Sequence, residues 1–240
     1  LEERIEKEVE NIKLSDLKDV AKNLSNRYMN EKREGQSLIN KRLEVLAYSI
    51  IRMPATFCAI NKALEETLKR YNPTIETALD IGSGTGAGEW AILNNLNINK
   101  ITCIEREEEM ASLAQKLLDM HKNIIWKSQD IIKNKIEDKA DLVITSYMIN
   151  ELQENMKEVA IKNIFESFNK IAIFVEPGTP AGFNNIKRIQ KMALKNNLNI
   201  LAPCTSQNEC NLPEDDWCHS IIRVERNKVH KFLKDADAHY

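Results

Sequence analysis

The sequence predicts an α/β fold in which a parallel sheet is covered by helices on both faces. Three observations predict it. From Thr77 onward, short apolar runs alternate with longer amphipathic stretches; the first of those runs opens directly into a glycine-rich loop; and no linker, repeat or low-complexity segment breaks the rhythm before Pro203. Strand–helix alternation lays successive strands side by side and parallel, because each helix crosses back over the sheet. Such strands are buried on both faces and therefore read as continuous apolar runs.

Residues 1–73 read as a helical N-terminal module. Leu14, Leu17, Ala21, Leu24 and Tyr28 recur at helical spacing, with Ser15 and Asp16 near the start, and Asn30–Gln36 reads as a polar break. A second helix carries Leu43, Leu46, Ala47 and Ile50. Pro54 fits the first turn of a third, whose apolar stripe is Phe57, Ile60, Leu64, Leu68 and Tyr71, and Pro73 ends it. Strands are then expected at Thr77–Ile81, Lys100–Glu105, Asn123–Lys127, Asp141–Ser146, Lys170–Glu176 and Leu198–Ala202. Helices fit between them, notably Glu107–His121 and Gln153–Asn169. Residues 74–202 thus read as one domain, and residues 203–240 as an irregular cysteine-bearing segment.

Composition excludes several classes. A chain of 240 residues with 42% hydrophobic and 29% charged residues has the make-up of a soluble globular protein. The apolar run around Leu43–Ile51 contains Glu44 and is too short for a membrane span. The acidic, amphipathic start does not read as a secretory leader, and a first residue of Leu1 leaves room for an upstream targeting segment. A net charge of −2 argues against a uniformly basic nucleic-acid binder. Local basic stretches remain: Lys32, Arg33, Lys41 and Arg42; Lys187, Arg188, Lys191 and Lys195; Arg223, Arg226, Lys228, His230 and Lys231. Solvated helix faces account for such stretches as readily as a polyanion does.

The strongest motif is Ala78-Leu79-Asp80-Ile81-Gly82-Ser83-Gly84-Thr85-Gly86. Glycines at the end of a strand permit a tight turn and let a ligand approach backbone N–H groups near a helix N-terminus. A dinucleotide fingerprint has G-x-G-x-x-G, whereas Gly82, Gly84 and Gly86 are spaced G-x-G-x-G and the acidic Asp80 precedes them. That combination points to S-adenosylmethionine. Asp80, Gly82, Ser83, Gly84 and Gly86 are the expected cradle. Glu105, ending the second strand, is placed to accept hydrogen bonds from both ribose hydroxyls. Asp130, after the third strand, sits where an adenine amino group is read, although a surface carboxylate explains it equally. The fold so defined is a Rossmann-like class I methyltransferase fold with the N-terminal helical module before it and the Cys-bearing segment after it.

The acceptor side is less explicit. The loop Ser146-Tyr147-Met148-Ile149-Asn150-Glu151 follows the fourth strand and lacks the Asn/Asp-Pro-Pro-aromatic tetrapeptide of amino-methylating enzymes. It also has no cysteine to attack a pyrimidine ring. Tyr147, Asn150 and Glu151 are candidates to contact a substrate or the methionine end of the cofactor, while packing by Tyr147 and helix capping by Asn150 explain those two as well. In Glu176-Pro177-Gly178-Thr179-Pro180-Ala181-Gly182-Phe183, two prolines and two glycines make a rigid loop on the ligand-binding edge, with Glu176 at the substrate mouth. No residue reads as the catalytic base. Five cysteines include three within fifteen residues, in Cys204-x5-Cys210-x7-Cys218-His219. Three close thiols supply three corners of a tetrahedral sulfur site, but the spacing fits neither a zinc knuckle nor a ferredoxin run, and unrelated thiols fit it as well. Cys58 and Cys103 fall on a helix and within a strand and are assigned to packing.

Arg52-Met53-Pro54-Ala55-Thr56, the glycine loop, Glu176 to Phe183, Ala202-Pro203-Cys204, Asp216-Trp217-Cys218-His219, Arg223-Val224-x-Arg226 and His230-Lys231 occur in that order. Over residues 40–240 the chain resembles the Rsm-type methyltransferase-like family associated with the mitochondrial small ribosomal subunit, together with its bacterial relatives. The resemblance implies a protein of small-subunit assembly or translation that contacts ribosomal RNA, in the mitochondrial matrix of a eukaryote or the cytoplasm of a bacterium. It implies no DNA and no membrane partner. It implies either an rRNA methyltransferase or a non-catalytic assembly factor that keeps the cofactor pocket; a small-molecule methyltransferase with the N-terminal helices as a lid is the weaker alternative. It further implies a four-iron, four-sulfur cluster, with Cys204, Cys210 and Cys218 as three of four ligands and zinc as the competing metal. The family's usual Pro-His after the first cysteine is here Thr205-Ser206, and its fourth cysteine lies in a segment beyond Tyr240.

Overall fold

The structure, a computed structural model, describes residues 1–30, 39, 41–213 and 215–234. Most of the Asn30–Gln36 break, with Lys32 and Arg33, lies outside the described residues. Helices α1 (Glu2–Val9), α2 (Leu14–Asn30) and α3 (Arg42–Arg70) lead into β1 (Thr77–Ile81), α4 (Ala87–Asn95), β2 (Lys100–Glu105), α5 (Glu108–Leu117) and β3 (Ile124–Ser128). The chain continues through β4 (Ala140–Ser146), α6 (Met148–Glu151), α7 (Glu154–Ser167), β5 (Phe168–Val175), α8 (Pro180–Lys195) and α9 (Lys228–Lys234).

The described strands form one parallel sheet in the order β3-β2-β1-β4-β5. This is a Rossmann-like arrangement. The chain builds outward from β1 to β3 and then crosses back to β4, so the order reverses between β1 and β4. A crevice opens there at the carboxyl ends of the strands, where open α/β sheets bind ligands.

Alternate residues of each strand serve different helical layers. Ala78, Ile101, Cys103, Leu142 and Ile144 pack with Val45, Leu46, Ile50, Ile60 and Leu64 of α3 and with Ala91 and Ile92 of α4. Leu79, Ile81, Ile104 and Val143 face Ala160, Ile161 and Ile164 of α7 on the other side. The two-residue period of a strand makes this division, and apolar residues on both faces produce the uninterrupted runs of the sequence. Each fully buried Leu or Ile contributes roughly 1.5–3 kcal/mol.

Two sequence expectations are corrected. The helix expected to begin at Pro54 does not begin there: α3 is continuous from Arg42 to Arg70 with Pro54 inside it. A proline in a helix interior forfeits one backbone bond and costs about 3 kcal/mol. Residues on both sides of it, Val45, Leu46, Ile50 and Met53 before and Ile60 and Leu64 after, are buried in one core, and that packing outweighs the loss. One window of α3 is apolar enough for a membrane span, with a mean hydropathy of 1.4, but half of it is buried inside the protein. The strand expected at Leu198–Ala202 is likewise not formed. The Gln207 side chain takes both ladder groups of Ile200: the Ile200 N–H donates to Gln207 Oε1 at 3.0 Å, and Gln207 Nε2 donates to the Ile200 carbonyl at 2.9 Å.

Candidate functional site

The pocket is assembled from the carboxyl ends of four neighbouring strands. At the end of β1 the chain turns through Gly82, Gly84 and Gly86, with φ of +74°, +56° and +94°. An L side chain is strained in that region, which is why the turn alternates glycine with other residues. The Gly82 and Ser83 N–H groups both donate to the Ile104 carbonyl, at 2.8 and 3.1 Å, tying the loop to β2. Gly86 then starts α4. Above Gly84 the space is open: an added Cβ would find its nearest neighbour, Met110 Sδ, only at 4.0 Å.

Glu105 ends β2, buried and directed at the loop. Its Oε2 accepts from the Gly84 N–H at 2.7 Å and its Oε1 from the Glu107 N–H at 2.8 Å. Burial raises its pKa, while the N–H groups of Glu107, Gly84 and Arg106 pull it back down. Gly82, Gly84, Glu105, Asp130 and Tyr147 line one cavity, together with Met110, Ile131 and Met148. Asp130 Oδ1 is engaged by the Ile132 N–H at 2.9 Å, and Lys133 stands 3.8 Å from Oδ2.

Asp80, Ser83 and Gly86, expected in the cradle, do not line the cavity; Gly86 faces Leu118 and Ala114 instead. Asp80 is 1% exposed and presses on α4 so closely that a Cβ on Gly88 would meet Asp80 Oδ2 at 1.9 Å. Beside it is Glu89, 0% exposed, with the buried Cys103 next to it. Desolvation raises Asp80 well above the usual range, reinforced by the Glu89 charge, and raises Glu89 to about 7. Sequence reasoning missed Glu89. The available signal was an acid in a first helical turn otherwise made of Ala87, Gly88, Trp90 and Ala91.

On the acceptor side, Tyr147 adopts a left-handed φ of +60°, and its N–H donates to the Val175 carbonyl at 2.7 Å. Glu176, the next residue after β5, lies beside the Asn150 N–H and accepts from Asn185 Nδ2 at 2.9 Å. Neither Glu176 nor Asn150 lines the cofactor cavity. The turn that follows Glu176 is fixed by Thr179, whose hydroxyl caps α8 by accepting from the Gly182 N–H at 3.2 Å, and by Gly182, whose missing Cβ makes room for the Pro177 carbonyl. Trp217 Nε1 donates to the Gly178 carbonyl at 3.2 Å, with His219 stacked beside it at 6.2 Å. Two of the segments that carry the family resemblance therefore touch.

The three cysteines are not brought together. Cys204, Cys210 and Cys218 are exposed, and no group of three His, Cys, Asp or Glu able to hold a metal exists among the described residues. Cys210 is held near the middle of α8, its N–H donating to Gln190 Oε1 at 3.2 Å. Trp217, next to Cys218, is held at Gly178 before that helix begins. At 1.5 Å rise per residue the start of α8 and Gln190 stand about 15 Å apart along the helix. As placed, the residues do not fit an iron–sulfur cluster or a zinc ion.

The family described as Mitochondrial small ribosomal subunit Rsm22 matches residues 42–240. The human protein named ribosome assembly protein METTL17, mitochondrial, is 24% identical over 187 residues, which is 69% of this chain and 40% of that protein; the chain thus spans well under half the length of this relative. A solved S-adenosylmethionine-dependent methyltransferase from Clostridium acetobutylicum is 17% identical, covering 58% of this chain and 57% of that one with a TM-score of 0.46. The N-methyltransferase NodS from Bradyrhizobium japonicum, in complex with S-adenosyl-L-homocysteine, is 18% identical, covering 48% and 58% with a TM-score of 0.41.

Proposed function

We propose, from the premise that this chain belongs to the mitochondrial small ribosomal subunit Rsm22 family, that it binds S-adenosylmethionine and acts on the small ribosomal subunit or its RNA. One observation carries the cofactor: the open space over left-handed Gly84, whose N–H is held by Glu105 on the wall of the same cavity. The residues present fit the cofactor. The glycine loop would receive its backbone-approaching portion, Glu105 its ribose hydroxyls, and the Gln129–Asp130 turn its adenine end. The cofactor supplies an electrophilic methyl group on a sulfonium. The carboxyl ends of β1 and β2 would hold it, and Tyr147 on the same cavity would help to orient an acceptor for in-line attack.

A three-part division belongs to the same proposal: residues 74–202 as the cofactor-binding unit, residues 1–73 as a helical cover and residues 203–240 as an accessory segment. Local basic residues such as Arg223, Arg226 and Lys231 would meet rRNA. The compartment would be the mitochondrial matrix in a eukaryote. The test is calorimetry with S-adenosylmethionine and S-adenosylhomocysteine. A bulky residue at Gly84 should block binding by filling the open space. Glu105→Ala should weaken it by about 1–3 kcal/mol, since the ribose loses a charged acceptor. Unchanged affinity in both variants would exclude this pocket.

A second reading is a non-catalytic assembly factor that retains the pocket. The human relative is named a ribosome assembly protein, and the loop Ser146–Glu151 lacks an amino-methylating tetrapeptide. Transfer of labelled methyl to small-subunit RNA separates the two.

A further inference from the structure

We propose that Glu176 is the base that takes up the acceptor's proton during methyl transfer, with Asn185 and Lys157 as its positioning residues. The proposal rests on the S-adenosylmethionine reading above and assigns the acceptor a chemical class: a neutral N–H or O–H group that must lose its proton as the methyl arrives.

Position comes first. Ser146 pairs with Val175 across β4 and β5, so the next residues, Tyr147 and Glu176, leave the carboxyl end of the sheet side by side. Tyr147 lines the cofactor cavity and is locked there in its left-handed conformation by the bond from its N–H to the Val175 carbonyl. A non-glycine residue held in that region by its surroundings is a recurrent mark of functional sites. Glu176 does not itself line that cavity but follows β5 beside Tyr147, which does, and its charge acts on the Tyr147 phenol.

Glu176 is also oriented. Asn185 is 2% exposed and bridges Glu176 to Lys157: its Nδ2 donates to Glu176 Oε2 at 2.9 Å, and its Oδ1 accepts from Lys157 Nζ at 2.9 Å. An ammonium only donates, so Lys157 fixes which way the amide points and obliges it to donate to the carboxylate. Lys157 is itself held by Glu154 at 3.1 Å, and Glu154 is bound by Arg188 at the surface. A continuous chain thus runs from an exposed ion pair to a mostly buried carboxylate.

Glu151 also lines the cavity, and four further acids are otherwise engaged. Glu105 holds two backbone N–H groups, Asp130 holds one, and Asp80 and Glu89 are sealed beneath the loop. Burial brings Glu176 to about 7, with Asn185, the Asn150 N–H and Lys157 opposing and Glu151 assisting the rise. A base works best when its pKa lies near the operating pH. Burial keeps the Tyr147 phenol protonated, and the Arg52 and Glu176 charges act on it in opposite directions. In the step, the acceptor lone pair attacks the methyl carbon and the carbon–sulfur pair returns to sulfur. The acceptor proton passes to the Glu176 carboxylate. One positive and one negative charge cancel, leaving a thioether, a methylated acceptor and a neutral carboxylic acid.

The experiment combines two readouts on the full chain. The first is the carboxyl titration of Glu176 by carbon-13 NMR, assigned by its loss in Glu176→Gln. The midpoint should lie near 7 in the parent and move upward in Asn185→Ala and in Lys157→Met, which remove support for the charged form. The second is labelled methyl transfer to small-subunit RNA across pH, alongside calorimetry of S-adenosylmethionine. Glu176→Gln preserves the shape of the network and should bind cofactor normally, lose at least a hundredfold in kcat and lose the acid limb near pH 7. A titration midpoint near the ordinary glutamate value, a Gln variant that keeps that limb, or bound cofactor with no transfer would each overturn the assignment. Failure of the parent to bind cofactor would instead overturn the pocket reading, and this one with it.

Discussion

Replacing Glu89 with glutamine should make the protein more stable at pH 8 while changing little at pH 5. Asp80 and Glu89 are 1% and 0% exposed, and with both ionised none of their four oxygens has a strong donor among the described residues. One shared proton supplies the missing donor, and burial accordingly holds Asp80 well above the usual range and raises Glu89 from 4.5 to about 7. An acid whose folded pKa is raised contributes stability that is fully present below its unfolded pKa and lost as pH rises through the folded one. Each pH unit between 4.5 and 7 therefore removes up to about 1.4 kcal/mol, a ceiling of about 3 kcal/mol across the interval. Glutamine keeps the shape, carries no charge and brings its own N–H donors to Asp80. The variant should exceed the parent by about 1–3 kcal/mol at pH 8 and by little at pH 5. Urea unfolding of both proteins at the two pH values reads this directly through the midpoints. An equal difference at both pH values would refute the shared proton.

His230 should act in the opposite direction. It is 2% exposed with no partner for either ring nitrogen among the described residues, and burial, Lys234 and Arg226 lower it to about 4. The unfolded chain takes up that proton near 6.5, so stability should fall as pH drops from 6.5 to 4, at up to about 1.4 kcal/mol per unit. His230→Leu should flatten that slope in acid unfolding. Thiol labelling of the native protein should find Cys204, Cys210 and Cys218 fast and Cys103 unreactive, since burial and the neighbouring Glu89 keep the Cys103 thiol protonated. Joint protection of the first three, lifted by a chelator, would mean that the segment closes on a metal after all. Binding to small-subunit RNA should weaken as salt rises, and neutralising Arg223, Arg226 and Lys231 should reduce the salt slope by up to about one for each phosphate that then keeps its counterion. A slope unchanged in the triple variant would place the RNA elsewhere.

The local parts of this protein are legible in its sequence. β1 and β2 fall where their apolar runs place them, and the glycine loop is readable because a left-handed turn requires glycine wherever it occurs in a chain. Glu105 is readable for a similar reason, being the last residue of a strand whose partner is the loop. What tertiary structure alone decided involves groups distant in sequence. Pro54 signals a helix start locally, yet a shared core on both sides of it holds α3 in one piece. Ile200 sits in an apolar run, yet the Gln207 side chain takes the groups a ladder would have used. Glu89 looks like an ordinary first-turn acid until β1 and β2 place Asp80 and Cys103 against it and remove the water. The cysteines show the limit from the other side: Cys210 and Cys218 are close in the chain, but Cys210 is anchored on α8 and Trp217, beside Cys218, on the turn before that helix. Propensity and motif spacing act through the nearest bonds, whereas burial, charge and coordination depend on what the rest of the chain brings alongside.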